Sequence, residues 1–278
     1  MIKSMVKDWM SSPVVVVPQT AGLDEARKTI SENHIRALPV MEGGNLIGIV
    51  TRRGLLRLDL SSLDHEIKYL HIIPEEKNVG DVMTRNVITI LPNNLMPKAA
   101  RIMLENKITA LPVLENRQLV GIITNSDLLH FIIEESANLK RKLLVNQYMT
   151  DEVVTIDRQT NMLEAHRLMG TKRIRSLVVT EGDRLIGVVT RTDLMSSDPS
   201  RMTSRNQQDI SLKILSQPVE KVMSTNLITI SEKAPLTEAA ELMLKNKIHC
   251  LPVLNQEKKL AGIITESDLF LMIVQKFY

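Results

Sequence analysis

Aromatic side chains are scarce in this chain. They make up 3% of its 278 residues, with three Phe, three Tyr and Trp9 as the single tryptophan. A core must then be filled by Ile, Leu, Val, Ala and the 15 Met, and a site that stacks several bases on aromatic rings is argued against. Cysteine is scarcer still: Cys250 stands alone, which excludes an internal disulfide and a thiolate metal cluster. Neither sign of charge dominates. Lys and Arg number 35 against 32 Asp and Glu, a net charge of +3, so the basic stripe and the counterion release of a nucleic-acid binder are missing. No apolar run reaches the ~18 residues a membrane span needs, and Met1 to Asp8 lack the apolar heart of a signal peptide. These absences lead to the expectation of a cytoplasmic protein with no membrane contact and with nucleic acid an unlikely partner.

What is present is one sentence written four times. Leu46–Leu55, Leu119–Leu128, Leu185–Leu194 and Leu260–Leu269 each run from an apolar strand through Gly into Thr and a helix start. Each copy opens with a short turn ending in Met, at Met10, Met83, Met149 and Met223. The separation from that Met to the motif Thr is the same in three copies (Met10 to Thr51, Met83 to Thr124, Met149 to Thr190) and one residue longer in the fourth (Met223 to Thr265). Self-similarity at a fixed period marks a repeat architecture.

Within each copy a β-branched run follows the Met: Val14–Val17, Val87–Ile90, Val153–Ile156 and Leu227–Ile230, each expected as a strand. A helix comes next. In copy four Leu236, Ala239, Ala240, Met243 and Leu244 share one face, and Pro97 and Pro235 sit near helix starts, where a missing N–H costs little. A second strand is expected over Ile35–Val40, Ile108–Val113, Ile174–Val179 and Ile248–Val253, and the motif supplies a third strand and a second helix. The fold class is therefore mixed α and β, with four β-α-β-β-α units. A three-stranded unit of this size is marginal alone, so units are expected to pair through their sheets into two tandem modules.

The expected boundaries are unit one over 1–58, a connector helix and loop over 59–78, unit two over 79–135, unit three over 136–195, a polar, flexible connector over 196–216 and unit four over 217–278. Within the first connector Asp64 to His71 is expected to be helical, and the helix after Thr124 to continue through Lys140.

The Thr-x-x-Asp of copies two to four has a purely structural explanation, a capping box in which the acid reaches back to close the helix end. The same geometry has a functional use. A carboxylate beside a helix start can accept hydrogen bonds from the two hydroxyls of a ribose, and the free N–H groups there suit an anion. Copy one reads Thr51-Arg52-Arg53-Gly54 and has no acid, so its sugar site is expected to be absent, although Arg52 and Arg53 could face a phosphate. The position after Thr is Arg191 in copy three, which favours phosphate, Asn125 in copy two, which is neutral, and Glu266 in copy four, which repels phosphate unless it turns away. Occupancy is expected to rank three, two, four, one. A second position lies two residues before the Leu of the second strand: Arg36, Thr109, Arg175 and His249. Alternation on a strand would point it away from its buried neighbours.

The repeat resembles the CBS domain family over nearly the whole chain, on Gly121-Ile-Ile-Thr-Asn-Ser-Asp127, Gly187-Val-Val-Thr-Arg-Thr-Asp193 and Gly262-Ile-Ile-Thr-Glu-Ser-Asp268 together with the Met lead-in and the Leu-Pro-Val strand. Its four-unit arrangement is similar to the regulatory γ subunit of AMP-activated kinase. The resemblance implies paired units called Bateman modules. It also implies adenosine ligands, with ribose on Asp127, Asp193 and Asp268 aided by Thr124, Thr190 and Thr265, and phosphate on Arg191 and on Arg36, Arg175 and His249. The implied function is a regulatory sensor of AMP, ADP or ATP, with no cofactor required, acting in trans on a protein partner not identified by sequence, and open to homodimerisation. Two alternatives stay open: S-adenosylmethionine or a related ligand, which would leave Arg175 and Arg191 idle, and a ligand-free scaffold. An enzyme is not expected, since no acid–base pair or activated nucleophile is present. His65, Glu66 and His71 are weak metal candidates, Cys250 reads as core and the four lead-in Met as packing.

Overall fold

In copy one the lead-in is a tight turn at Val6–Asp8, followed by β1 (Val17–Pro18), α1 (Leu23–Glu32), β2 (Ala37–Glu42), β3 (Asn45–Thr51) and α2 (Arg52–Leu55). This is a computed structural model that describes residues 4–55, 78–136, 142–196 and 214–277. Copy two repeats the order with α3 (Val79–Val82) as lead-in, then α4 (Met96–Asn106), β4 (Ala110–Glu115), β5 (Gln118–Thr124) and α5 (Asn125–Glu135). Copy three has its lead-in at Val145–Gln147, then β6 (Thr155–Asp157), α6 (Met162–Thr171), β7 (Ser176–Glu181), β8 (Arg184–Thr190) and α7 (Arg191–Ser196). Copy four has its lead-in at Val219–Lys221, then β9 (Ile230–Ser231), α8 (Leu236–Asn246), β10 (Cys250–Leu254), β11 (Leu260–Thr265) and α9 (Glu266–Lys276). The lead-in valines Val6, Val79, Val145 and Val219 are all fully buried.

Three copies form the same sheet, in which the first strand lies parallel to the second and the second antiparallel to the third. In copy two Ile90 makes a single parallel bridge to Val113 where the others have a first strand. The β-branched runs are therefore paired over far fewer residues than their composition predicts. The residues just before them are drawn off by the lead-in, which pairs elsewhere. The expected helix through Lys140 also stops early, at Glu135, with Ser136 as its cap. Burial of Val145, whose N–H donates to the Ala234 carbonyl at 2.9 Å, requires a fresh lead-in turn there. Asp64 to His71 lie outside the described residues, as does most of the second connector.

The chain divides into two compact units. One comprises Met10–Asn93 with Ala110–Ile123, the other Met1–Trp9, Asn94–Thr109 and Thr124–Tyr278. In the first, Val17, Ala26, Ile30, Leu38, Val40, Val50 and Val79 share one core, and Ala37 meets Ala110 and Ile122 where the hairpins of copies one and two face each other. In the second, α4 packs on α9 and α5 on α8, burying Met96, Met103, Phe131, Ile132, Met243 and Met272. Trp9 meets Phe131 edge-on at 5.5 Å and Phe131 meets Phe277 at 4.9 Å, so three of the few aromatic rings form one cluster.

The lead-ins explain the motif glycines. Each lead-in adds a residue to the hairpin of its partner copy. Ser11 exchanges backbone bonds with Ile122 (2.9 and 3.1 Å), Thr84 with Ile49, Thr150 with Ile263 and Ser224 with Val188. The adjacent Met lies on the partner's glycine: Met10 on Gly121, Met83 on Gly48, Met223 on Gly187 and Met149 on Gly262. A Cβ at any of these glycines would run into the sulfur. The hairpins of copies one, three and four shift register opposite Gly48, Gly187 and Gly262, as a bulge at a close backbone approach does. The lead-in Met residues are packing groups, as expected. Among the described residues no helix is long and apolar enough to cross a membrane.

Candidate functional site

The two positions singled out in each copy are joined by one backbone hydrogen bond. The N–H of the residue after the motif Thr donates to the carbonyl of the residue before the second strand. The pairs are Arg52 to Arg36 (2.9 Å), Asn125 to Thr109 (3.2 Å), Arg191 to Arg175 (2.8 Å) and Glu266 to His249 (3.1 Å). Arg36, Thr109, Arg175 and His249 are not strand residues, contrary to expectation: β2, β4, β7 and β10 begin one residue later. Each bond continues the hairpin register by one step beyond Ala37–Thr51, Ser176–Thr190 and Cys250–Thr265 and lands on the first residue of a helix, where the strand pairing ends.

The motif acids sit on the same helix starts. Asp127 Oδ2 accepts the Thr124 N–H at 2.6 Å and the Thr124 hydroxyl at 2.8 Å. Asp193 Oδ2 does the same with Thr190 at 2.8 and 2.7 Å, and Asp268 Oδ2 with Thr265 at 2.7 and 2.8 Å. The capping explanation is therefore correct for one oxygen of each carboxylate. No hydrogen bond from another described residue reaches Oδ1, and the cap leaves that oxygen as an acceptor for a ligand. Burial pushes the Asp127 and Asp268 carboxyls above their ordinary value, against the lowering effect of the Thr bonds. Copy one keeps half of the device: Thr51 Oγ1 accepts the Gly54 N–H at 3.0 Å, and no carboxylate among the described residues answers it.

The residues after Thr differentiate the copies. Arg191 and Arg175 stand close enough that Arg175, after burial, pushes the Arg191 pKa down. Arg191 Nε is buried without a hydrogen-bond partner, and neither guanidinium pairs with an acid among the described residues. Like charges without a counter-ion are a costly arrangement that an anion relieves. In copy four, Glu266 is 7% exposed and accepts a hydrogen bond from the Asn125 amide, itself 4% exposed. Sequence reasoning had treated these two residues separately. They lie 141 positions apart, and only the packing of α5 and α9 brings them together. Cys250 is buried as expected, and burial raises its pKa. A hydrogen bond to Ser176 opposes that shift, and the Glu266 and Asp193 carboxylates add to it. Ser176 was missed; the signal was its place at the same repeat position as Cys250, Ala37 and Ala110. In copy one Arg36 and Arg52 are exposed. Of the metal candidates, His65, Glu66 and His71 lie outside the described residues, and no group of three His, Cys, Asp or Glu among the described residues is placed to hold a metal ion.

Comparison with known proteins gives the same periodicity. The family model for the CBS domain matches four stretches, residues 6–61, 79–134, 145–199 and 219–274. Protein MJ1225 of Methanocaldococcus jannaschii is 27% identical over 279 residues, covering 96% of this chain and 98% of that one. Its crystal structure, described as that of a proposed archaeal homologue of g-AMPK, superposes with a TM-score of 0.75 at 25% identity over 97% of this chain and 99% of that one. The crystal structure of an uncharacterized conserved protein from Pyrococcus horikoshii has the same fold, with a TM-score of 0.66 at 22% identity over 97% of this chain and all of the other.

Proposed function

The chain belongs to the CBS domain family, with four domains paired as two Bateman modules, and from that premise we propose that it is a regulatory sensor of adenine nucleotides. The ligand is AMP, ADP or ATP, and the work is binding, with no bond made or broken. The observation that carries this reading is in copy three. A carboxylate oxygen of Asp193 left over from its cap, which suits a ribose diol, lies on the same helix start as Arg191 and beside Arg175, two guanidiniums without acidic partners among the described residues, which suit a phosphate. Asp127 with Thr124, and Asp268 with Thr265, offer the same sugar contact in copies two and four. His249 and Arg36 hold the corresponding position before the second strand in copies four and one. Ligand bound better by one conformation than another shifts the population toward it, and that differential affinity is the energy available for signalling. The output acts on a protein partner in trans, in the cytoplasm.

The test is calorimetric titration of the purified protein with AMP, ADP and ATP. Asp193→Ala should remove the copy-three site while melting remains cooperative. Unchanged binding removes the ribose assignment.

A further inference from the structure

Copies three and four place opposite charges at one structural position. The first residue of α7 is Arg191 and the first residue of α9 is Glu266. Each donates its backbone N–H to the carbonyl of the residue just before the neighbouring strand, Arg175 or His249, at 2.8 and 3.1 Å. Each lies two residues before the acid that takes the Thr cap, Asp193 or Asp268. The scaffold is the same, so the difference lies in the side chain alone.

Glu266 is not a surface acid that swings away. It is 7% exposed, and the amide of Asn125, 4% exposed, donates to its carboxylate. That bond fixes the carboxylate at the helix start. Its charge adds to burial in raising the thiol pKa of Cys250 at the first position of β10. A phosphate and a carboxylate roughly 6 Å apart at an effective dielectric of ~20 repel by about two orders of magnitude in affinity.

Taking the Asp–ribose reading as given, we infer that Glu266 is a specificity-determining residue. It closes the copy-four site to phosphoryl groups, so that this site takes an adenosyl ligand without phosphate, such as adenosine or a 5′-thioether of it. The chain then holds two kinds of adenosyl site, a phosphate-requiring one at Arg175, Arg191 and Asp193 and a phosphate-excluding one at Glu266 and Asp268. A nucleotide and its dephosphorylated nucleoside are read side by side.

The experiment titrates AMP and adenosine separately into the whole protein and its variants by calorimetry. The wild type should bind adenosine at a site lost in Asp268→Ala and bind AMP at that site at least ~10-fold more weakly. Glu266→Gln keeps the shape and a hydrogen-bond partner for Asn125, and should raise AMP affinity at the copy-four site at least ~10-fold with adenosine affinity held. The reciprocal Arg191→Glu should weaken AMP at the copy-three site by ~100-fold and leave adenosine there within about 3-fold, a check that does not depend on how well the Gln variant folds. An unchanged AMP-to-adenosine ratio in both variants, with adenosine binding still dependent on Asp268, would overturn the specificity role and leave the ribose reading standing. Adenosine binding indifferent to both Asp193 and Asp268 would overturn the ribose reading, and this inference with it.

Discussion

In copy three the residue before β7 and the first residue of α7 are both arginine, and the same holds in copy one before β2 and at the start of α2. The same backbone bond joins each pair, at 2.8 Å in copy three and 2.9 Å in copy one. The two differ three residues after the Thr. Asp193 closes the Thr190 cap from the acid side, whereas at Gly54 Thr51 accepts one N–H at 3.0 Å and has no carboxylate partner among the described residues. The comparison separates two jobs that one motif performs. The Thr and the strand bond suffice to start the helix; the acid adds the second half of the cap and an oxygen to spare.

The largest effect should come from removing that oxygen's charge. Asp193→Asn keeps the shape but loses a charged acceptor. Two charge-assisted hydrogen bonds of about 1.5 kcal/mol or more each put the expected loss of AMP affinity at ~100-fold or more, measured by calorimetry. A change under about 3-fold would make copy three no better a sugar site than copy one.

The next effect concerns the glycine that both copies share. Gly187→Ala forces the Met223 sulfur aside, and Gly262→Ala in copy four meets both the Met149 sulfur and the Thr150 carbonyl oxygen at 2.9 Å. Overpacking of this kind costs about 1–3 kcal/mol. Gly262→Ala should be the worse of the two, since a backbone carbonyl yields less than a thioether; thermal melts that rank them in reverse would contradict the packing argument.

Third, Arg191→Ala should weaken AMP by ~10-fold, in keeping with the loss of one charge-assisted contact, with adenosine unaffected. Arg52→Ala should leave both unaffected, since copy one has no carboxylate to hold the sugar.

A gain is expected from filling the gap in copy one. A Cβ at Gly54 would stand 3.4 Å from Thr51 Oγ1, an ordinary contact. Gly54→Asp should therefore stabilise the fold by ~1 kcal/mol through helix propensity and the completed cap, read as a higher melting temperature. A lower one would mean that copy one needs its glycine.

The smallest effect is the pH response of Asp127 and Asp268. Their folded carboxyls titrate above 3.8, the ordinary value, so the folded state holds these protons to higher pH than the unfolded chain does. Their contribution to stability therefore falls as pH rises through the raised values and is regained on acidification. Sugar binding, which needs the ionised form, runs the other way and weakens as pH falls through the same window. Adenosine titrations at neutral pH and just above 4 should show that weakening in Asp193→Ala, where copies two and four carry the sugar contacts.

Much of this was legible in residue order. The fourfold spacing, the strand-to-helix motif and the Thr–Asp cap depend on neighbours a few positions apart, so the residues that make the contact are visible together. The single departure at Gly54 was visible for the same reason. The exchange of lead-ins was not: nothing near Met10 says that its sulfur rests on Gly121, although four glycines at one repeat position called for a close approach. The Asn125–Glu266 bond was beyond reach because it depends on helices from two copies packing together. The first strands were overestimated because composition reports a preference for extended backbone, whereas pairing depends on how much of β2, β7 or β10 is left to meet them.

The most direct measurement is a crystal structure of the protein grown with saturating AMP. The account predicts ribose hydroxyls on Oδ1 of Asp193, with Oδ2 still on Thr190, and the phosphate against Arg175 and Arg191. An Asp193 bonded to Thr190 alone, with no nucleotide beside either arginine, would contradict it and leave the acid as a helix cap.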